Sequence, residues 1–239
     1  MVDMPKVAVL FGFGINCDHE TKAVFDLVGG QATRIHVNHF INGNRSLEEF
    51  QILAVPGGFS FGDHLGSGRL LGNRMRFALR EQLHAFVAAG KPIIGICNGF
   101  QILLESGLLP GALMQNHTRK FICKNVYVRV ESTSTPFTQE CQDKSVLDIP
   151  IAHHQGSYYI DPHSLGDMEE RGQVLFRYCD AKGNITESSN PNGSVGSVAG
   201  ICNEQKNVMG MMPHPERCSD PLWTNTDGQS IFKSLIAQS

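Results

Sequence analysis

The strongest chemical signal in the chain is a cysteine framed by small residues, Gly95-Ile96-Cys97-Asn98-Gly99. The apolar run Ile93–Ile96 ahead of it reads as a buried parallel strand. After it, Phe100, Leu103 and Leu104 recur at helical spacing, and Gly107 is a natural helix stop. Cys97 therefore sits on a sharp strand-to-helix turn, the thiol counterpart of a nucleophile elbow. Gly95 and Gly99 relieve the crowding that such a turn imposes. The sulfur lies at a helix N-terminus, where the dipole favours negative charge. The next backbone N–H, that of Asn98, is free to face a developing oxyanion. A buried structural cysteine that merely ends a strand is the competing reading. A base and an orienting group elsewhere in the chain decide between the two.

Pro213-His214-Pro215-Glu216, directly after an apolar strand ending at Met212, supplies both. Strand ends are where α/β proteins collect functional groups. In an extended segment residues two apart point the same way, so His214 and Glu216 are expected to share a face. The flanking prolines lower the entropy cost of holding that geometry. Cys97, His214 and Glu216 then read as nucleophile, base and orienter. His153-His154 is a second histidine pair, but neighbours on a strand face opposite ways and no cysteine or carboxylate stands at ligand spacing, so no metal site is expected there. A serine mechanism lacks its Gly-x-Ser-x-Gly.

The elements that must carry these residues follow from periodicity. Lys6–Phe11 is a strand, a helix runs from about Asp18 to Val28, and Gly29-Gly30 ends it. Gly12 and Gly14 make half of a dinucleotide fingerprint, but Cys17 stands where the third glycine belongs, which favours a plain turn. Thr33–Val37 and Gln51–Val55 read as strands with a short helical piece, Leu47–Phe50, between them. Pro56-Gly57-Gly58 then leaves backbone N–H groups free to approach a ligand. Leu65–Ala89 is a long helical region interrupted near Gly72. Within it Arg69, Arg76 and Arg80 fall near one helix face, either solvated or a docking surface. This β-α-β-α series implies a parallel sheet with right-handed crossovers. The second half is richer in strands: Phe121–Val130, Ile149–Ala152, Val174–Tyr178, Val198–Cys202 and Asn207–Met212, with a polar loop at Thr133–Asp143, turns over Lys182–Gly196 and a last helix near Gly228–Ala237. One α/β domain over residues 1–239 is the expected organisation.

With 239 residues, 41% hydrophobic and a net charge of −3, the chain has an ordinary globular composition and no basic footprint for nucleic acid. No segment approaches the length of a membrane span, and Met1–Lys6 shows no secretory leader pattern. Its seven cysteines, at 17, 97, 123, 141, 179, 202 and 218, are odd in number and never in Cys-x-x-Cys spacing. That speaks against a zinc site and a disulfide framework and for a reducing, cytoplasmic setting.

The elbow together with Met211-Met-Pro-His-Pro-Glu216-Arg217 resembles the class I (triad-type) glutamine amidotransferases. Finer motifs, Asn16-Cys-Asp18, Pro56-Gly-Gly-Phe-Ser-Phe-Gly-Asp63, Ile94–Ile102, Thr135-Pro-Phe-Thr138, Ile149-Pro-Ile-Ala-His153 and Asn190-Pro-Asn-Gly-Ser194, are similar to the glutaminase-subunit family of phosphoribosylformylglycinamidine synthases, in matching order along nearly the whole chain. The resemblance implies a three-layer, flavodoxin-like α/β fold with a mostly parallel central sheet. It also implies hydrolysis of L-glutamine through a γ-glutamyl thioester on Cys97, with His214 relaying protons and Glu216 orienting it. In that family the N–H groups of Gly58 and Asn98 form the oxyanion hole and Gln101 lies in the glutamine pocket. No cofactor belongs to this chain; ATP and Mg belong to a separate synthetase that takes the ammonia for purine biosynthesis, usually beside a small third subunit. One departure stands out: the family commonly has Gly-Glu-Gly after His153, whereas this chain reads His154-Gln155-Gly156. A free-standing cysteine hydrolase and a non-catalytic subunit are the rival readings.

Overall fold

The computed structural model describes residues 4–222 and 225–238; residues 1–3 of the stretch read above for a leader lie outside the described residues. In chain order the elements are β1 (Lys6–Phe11), α1 (Asp18–Leu27), β2 (Gln31–His36), α2 (Val37–Ile41), β3 (Ile52–Val55), α3 (Arg69–Ala78), α4 (Arg80–Ala88), β4 (Ile93–Ile96), α5 (Asn98–Glu105), β5 (Ala112–Gln115), β6 (Ile122–Val130), β7 (Val146–His153), β8 (Gln155–Tyr159), α6 (Pro162–Glu170), β9 (Val174–Cys179), β10 (Val198–Cys202), β11 (Val208–Met211) and α7 (Gln229–Ala237).

Nine strands form one sheet in the order β2-β1-β3-β4-β11-β10-β9-β6-β7, and β5 and β8 make a separate antiparallel ribbon. The first five strands pair in parallel, and the last four continue antiparallel. Alternating the directions along the second half leaves seven of the nine strands pointing the same way. Every residue of β3, β4 and β11 is buried, as strands covered on both faces require, which is why Ile93–Ile96 reads as unbroken apolar sequence. The α/β sandwich has three layers; α1 packs on α7, and α3 packs on α5. Among the described residues no helix is long and apolar enough to cross a membrane.

The helical region at 65–89 breaks at Leu79, not at Gly72. Gly72 is interior to α3, and a Cβ there would lie 2.6 Å from Glu105 Cβ and 2.9 Å from the Ile102 carbonyl. That glycine lets α3 approach α5 and does not end a helix. The break also undoes the single-face geometry of the arginines. Arg69 reaches Glu105 at 3.4 Å, and Arg76 and Arg80, from different helices, line one cleft with Phe77 and His84. The second strand stops at His36, because His36 Nδ1 accepts the Asn38 N–H and starts α2. Helix α6 has no counterpart among the sequence-derived elements, although Asp161 caps it by accepting the Ser164 N–H and Pro162 stands in its first turn.

Candidate active site

Strands β4 and β11 are adjacent, parallel and in register, with Ile96 opposite Met211. Cys97 follows the first at once and His214 follows the second by three residues, so both emerge at the same C-terminal edge. Cys97 N–H donates to the Met211 carbonyl (2.8 Å), and His214 N–H donates to the Pro150 carbonyl (2.8 Å). Those two bonds fix the backbones that carry the side chains.

The elbow has the steric character expected of it. Cys97 has φ 51° and ψ −105°, a conformation that costs about 1–3 kcal/mol for a residue with a Cβ. A Cβ on Gly99 would sit 1.8 Å from the Val55 carbonyl oxygen, and one on Gly95 would sit 2.7 Å from the Gly99 carbonyl oxygen. A larger residue at Gly99 would push α5 from β3, and one at Gly95 would push α5 from β4. The thiol is buried and points towards the Ala152 carbonyl at 3.7 Å.

His214 Nδ1 lies 2.6 Å from Glu216 Oε1, and both residues are buried. An ionised carboxylate only accepts, so Nδ1 carries the proton and Nε2 is left for chemistry. Among the described residues neither His214 Nε2 nor Glu216 Oε2 has a hydrogen-bond partner. Burial works against an imidazolium here, but Glu216, followed by the Cys97 and Cys17 sulfurs, more than offsets it, and the His214 pKa lies well above its usual value. The pair is not held by extended alternation. Residues Pro215–Arg217 form a single 3-10 turn, and the turn brings the carboxylate back under the ring.

A Cβ on Gly57 would lie 2.9 Å from His214 Cε1, 3.2 Å from Cys17 Sγ and 3.5 Å from Cys97 Cβ. Three reactive side chains thus crowd one glycine, at the end of β3. Gly58 has φ 152°, and a side chain there would strike the Gly14 carbonyl at 2.5 Å, so the loop after β1 packs directly on the glycine pair. Asn98 opens α5, where first-turn N–H groups have no helical acceptor. Its side chain accepts the Ser60 N–H (3.0 Å) and donates to Gln101 Oε1 (2.8 Å). Gln101 Nε2 in turn donates to the Gln155 carbonyl (2.6 Å), while Gln155 Oε1 accepts the Ser67 N–H (3.0 Å). The departure residue thus closes a chain of hydrogen bonds that straps both ends of the Ser60–Ser67 loop to Asn98 and Gln101. Inside that loop Asp63 accepts from Ser67 Oγ (2.9 Å), and burial nonetheless raises its carboxyl pKa. The histidine pair divides as a strand dictates. His153 turns inward to Asn192 (3.1 Å) and its pKa falls to about 3 because it is buried, whereas His154 turns outward to the Arg119 carbonyl (3.2 Å).

Cys17 and Arg217 belong to this site and were not read as such from the residues. Cys17 is buried at the start of α1, and Arg217 Nη2 donates to its sulfur at 3.1 Å. The signal lay in position: Cys17 follows the C-terminal end of β1, and functional groups gather along that edge of a parallel sheet. A thiol beside an imidazole whose other nitrogen is held by a carboxylate is built for nucleophilic acyl transfer.

Comparison with known proteins agrees. Residues 4–235 match the CobB/CobQ-like glutamine amidotransferase domain. Two proteins called phosphoribosylformylglycinamidine synthase subunit PurQ are similar along their lengths. The one from Acaryochloris marina is 46% identical, covering 98% of this chain and 98% of its own. The one from Aquifex aeolicus is 45% identical, covering 97% and 99%. A chain in the structure of PurLQS from Thermotoga maritima superposes with a TM-score of 0.83 at 35% identity, covering 99% of each chain. The chain therefore belongs to the CobB/CobQ-like glutamine amidotransferase domain family and, within it, to the PurQ subunits of phosphoribosylformylglycinamidine synthase.

Proposed function

We propose that this chain is the glutaminase subunit of a phosphoribosylformylglycinamidine synthase, acting as one domain. It hydrolyses L-glutamine and delivers ammonia to a separate synthetase subunit, which uses ATP and Mg to make the amidine in purine biosynthesis. A small third subunit accompanies the pair, and the complex works in the cytoplasm. The observation that carries the reading is the meeting of Cys97 with the His214–Glu216 pair at adjacent strand ends, in a chain that matches PurQ subunits end to end.

In this mechanism Cys97 gives its proton to His214 Nε2, and the sulfur attacks the side-chain amide carbon of glutamine. The N–H groups of Gly58 and Asn98 receive the oxyanion. The imidazolium, held in place by Glu216, protonates the leaving nitrogen, and ammonia departs as the γ-glutamyl thioester forms. Water activated by His214 then attacks the thioester, which releases glutamate and restores the thiol. Gln101, tied to Asn98 and Gln155, shapes the glutamine pocket. The test is Cys97→Ala in the assembled complex. Glutamine-dependent synthesis is expected to disappear while the ammonia-dependent reaction survives. Equal loss of both would make the cysteine structural, and strong glutamine hydrolysis by the isolated chain with no response to its partner would make it a free-standing hydrolase.

A further inference from the structure

The reaction leaves Cys17 without a task, and its surroundings have a definite chemistry. Cys17 Sγ, a ring nitrogen of His214 and a carboxylate oxygen of Glu216 all lie within 4.8 Å of one another. All three residues are buried, at 1%, 2% and 4% exposure. Two buried polar atoms of this cluster, His214 Nε2 and Glu216 Oε2, have no hydrogen-bond partner among the described residues. Cys97 does not belong to the group that meets this distance.

We infer that Cys17, His214 and Glu216 form an inhibitory site for a borderline-soft divalent cation, zinc above all. One sulfur, one nitrogen and one oxygen donor are the ligand types zinc takes, at about 2.0–2.3 Å each, with a fourth position left open. Ligand atoms around such an ion stand roughly 3.3–3.8 Å apart, so an ion taken by Nδ1 opens its 2.6 Å contact with Glu216 Oε1 by about 1 Å, while the Cys17 sulfur closes from within 4.8 Å. Binding displaces the thiol proton of Cys17 and any proton on the coordinating ring nitrogen, and both leave to solvent. Arg217 lies against the site. Its N–H already donates to the sulfur at 3.1 Å and its charge is met by Glu20 at 3.6 Å, the arrangement by which outer groups orient a thiolate ligand. A cavity beside α1, apolar along Ala23, Val24 and Leu27, reaches the Glu216 carboxylate and carries Glu20 and Asp220 on its wall. Those carboxylates give the cavity the sign of charge that draws in a cation.

An ion held here takes the imidazole that Cys97 needs, so metal binding and thioester formation exclude each other. The test is direct binding in the isolated chain, with cobalt(II) as the spectroscopic stand-in for zinc and in a Cys123→Ser background, since Cys123 is the one exposed thiol. A thiolate-to-cobalt absorption band, abolished by zinc, is expected in this parent and in Cys97→Ala, and is expected to be lost in Cys17→Ser and in Cys17→Ala. Melting curves keep the comparison to folded variants. Absence of the band in the parent, its loss in Cys97→Ala or its survival in the Cys17 variants would each overturn the site. Because the band reports binding and not turnover, its result is independent of whether glutamine is the substrate. The matching functional readout is zinc inhibition of glutaminase activity, expected to need at least tenfold more zinc in Cys17→Ser.

Discussion

Replacing Glu216 by Gln tests the electrostatics of the site with almost no change in shape. Glu216 Oε1 accepts from His214 Nδ1 at 2.6 Å, while Oε2 is buried without a hydrogen-bond partner among the described residues. A glutamine amide can enter this space in two ways. With its oxygen on Nδ1, its NH2 takes the Oε2 position, where a buried donor without an acceptor costs about 1–3 kcal/mol. With the amide reversed, an unpartnered carbonyl fills that position, which is tolerated better, and the NH2 donates to Nδ1. The reversed form is therefore favoured, and it moves the imidazole proton to Nε2. His214 then has no lone pair to take the Cys97 proton, and the general-base contribution of about 10²–10⁴-fold is lost. The expected result is a fall of that size in kcat for glutamate release. The KM for glutamine should move little, because Glu216 bonds to His214, whereas Gln101 is held by Asn98 and Gln155. The ammonia-dependent activity of the complex is the control for folding. Stability gives a second readout. Glu216 raises the folded-state pKa of His214, so the pair stabilises the fold fully below about pH 6.5 and less as pH rises through the raised value. The stability deficit of the variant should then be largest near pH 6 and shrink towards pH 9. A kcat within tenfold of the parent, or a deficit that grows with pH, would refute this account.

Gly99→Ala places a Cβ 1.8 Å from the Val55 carbonyl; restoring ordinary contact moves α5 by about 1.6 Å, so we expect a loss of about 3 kcal/mol or more in urea unfolding and no measurable glutaminase activity. Gln155→Ala removes the acceptor of the Ser67 N–H, a bond of about 1 kcal/mol. The KM for glutamine should rise roughly fivefold, whereas Gln155→Glu, which keeps an acceptor, should stay near the parent. His153 has its pKa lowered from 6.5 to about 3 by burial, so the unfolded chain takes up a proton that the folded one refuses. From pH 7 to pH 5 this one residue should lower stability by about 2 kcal/mol, and His153→Gln should remove that slope in urea titrations.

What the sequence disclosed depended on whether a feature was local. The elbow was legible because strand, turn and helix are contiguous, and each glycine answers to a contact within or beside that unit. The strands β3, β4 and β11 were legible from unbroken apolar runs. His214 and Glu216 were found by residue type and spacing, though the geometry that joins them, a 3-10 turn, is not the extended one that spacing suggests. Cys17 could not be found by spacing, since it reaches His214 only when β1, β3 and β11 lie in one sheet. The glycine pattern around it even pointed to a failed nucleotide motif. Gly72 misled for a related reason: a helix breaker by propensity, it is set inside α3 by the approach of Glu105 and Ile102. The side-chain bond from Ser67 to Gln155 spans 88 residues, so the substitution could be seen but not its contact.

The least legible feature is the one that closes the site. In the sheet order β7 is the edge strand, four places from β11. Even so, its Pro150 carbonyl accepts the His214 N–H at 2.8 Å and its Ala152 carbonyl faces Cys97 Sγ at 3.7 Å. Both contacts are possible only if the antiparallel half curls, so that its last strand returns over the C-terminal ends of β4 and β11. Strand twist accumulating over four antiparallel neighbours supplies such a curl. The same geometry explains a proline in β7. An edge strand can spare one N–H, and the carbonyl that remains at Pro150 is the group that sets the backbone of His214. The curl therefore solves two problems together. It covers an edge that would otherwise invite pairing with another chain, and it carries Ala152, His153 and Gln155 to the mouth of the site. The parallel half of the sheet supplies Cys97, His214 and Glu216, and the antiparallel half supplies the wall against which they are held.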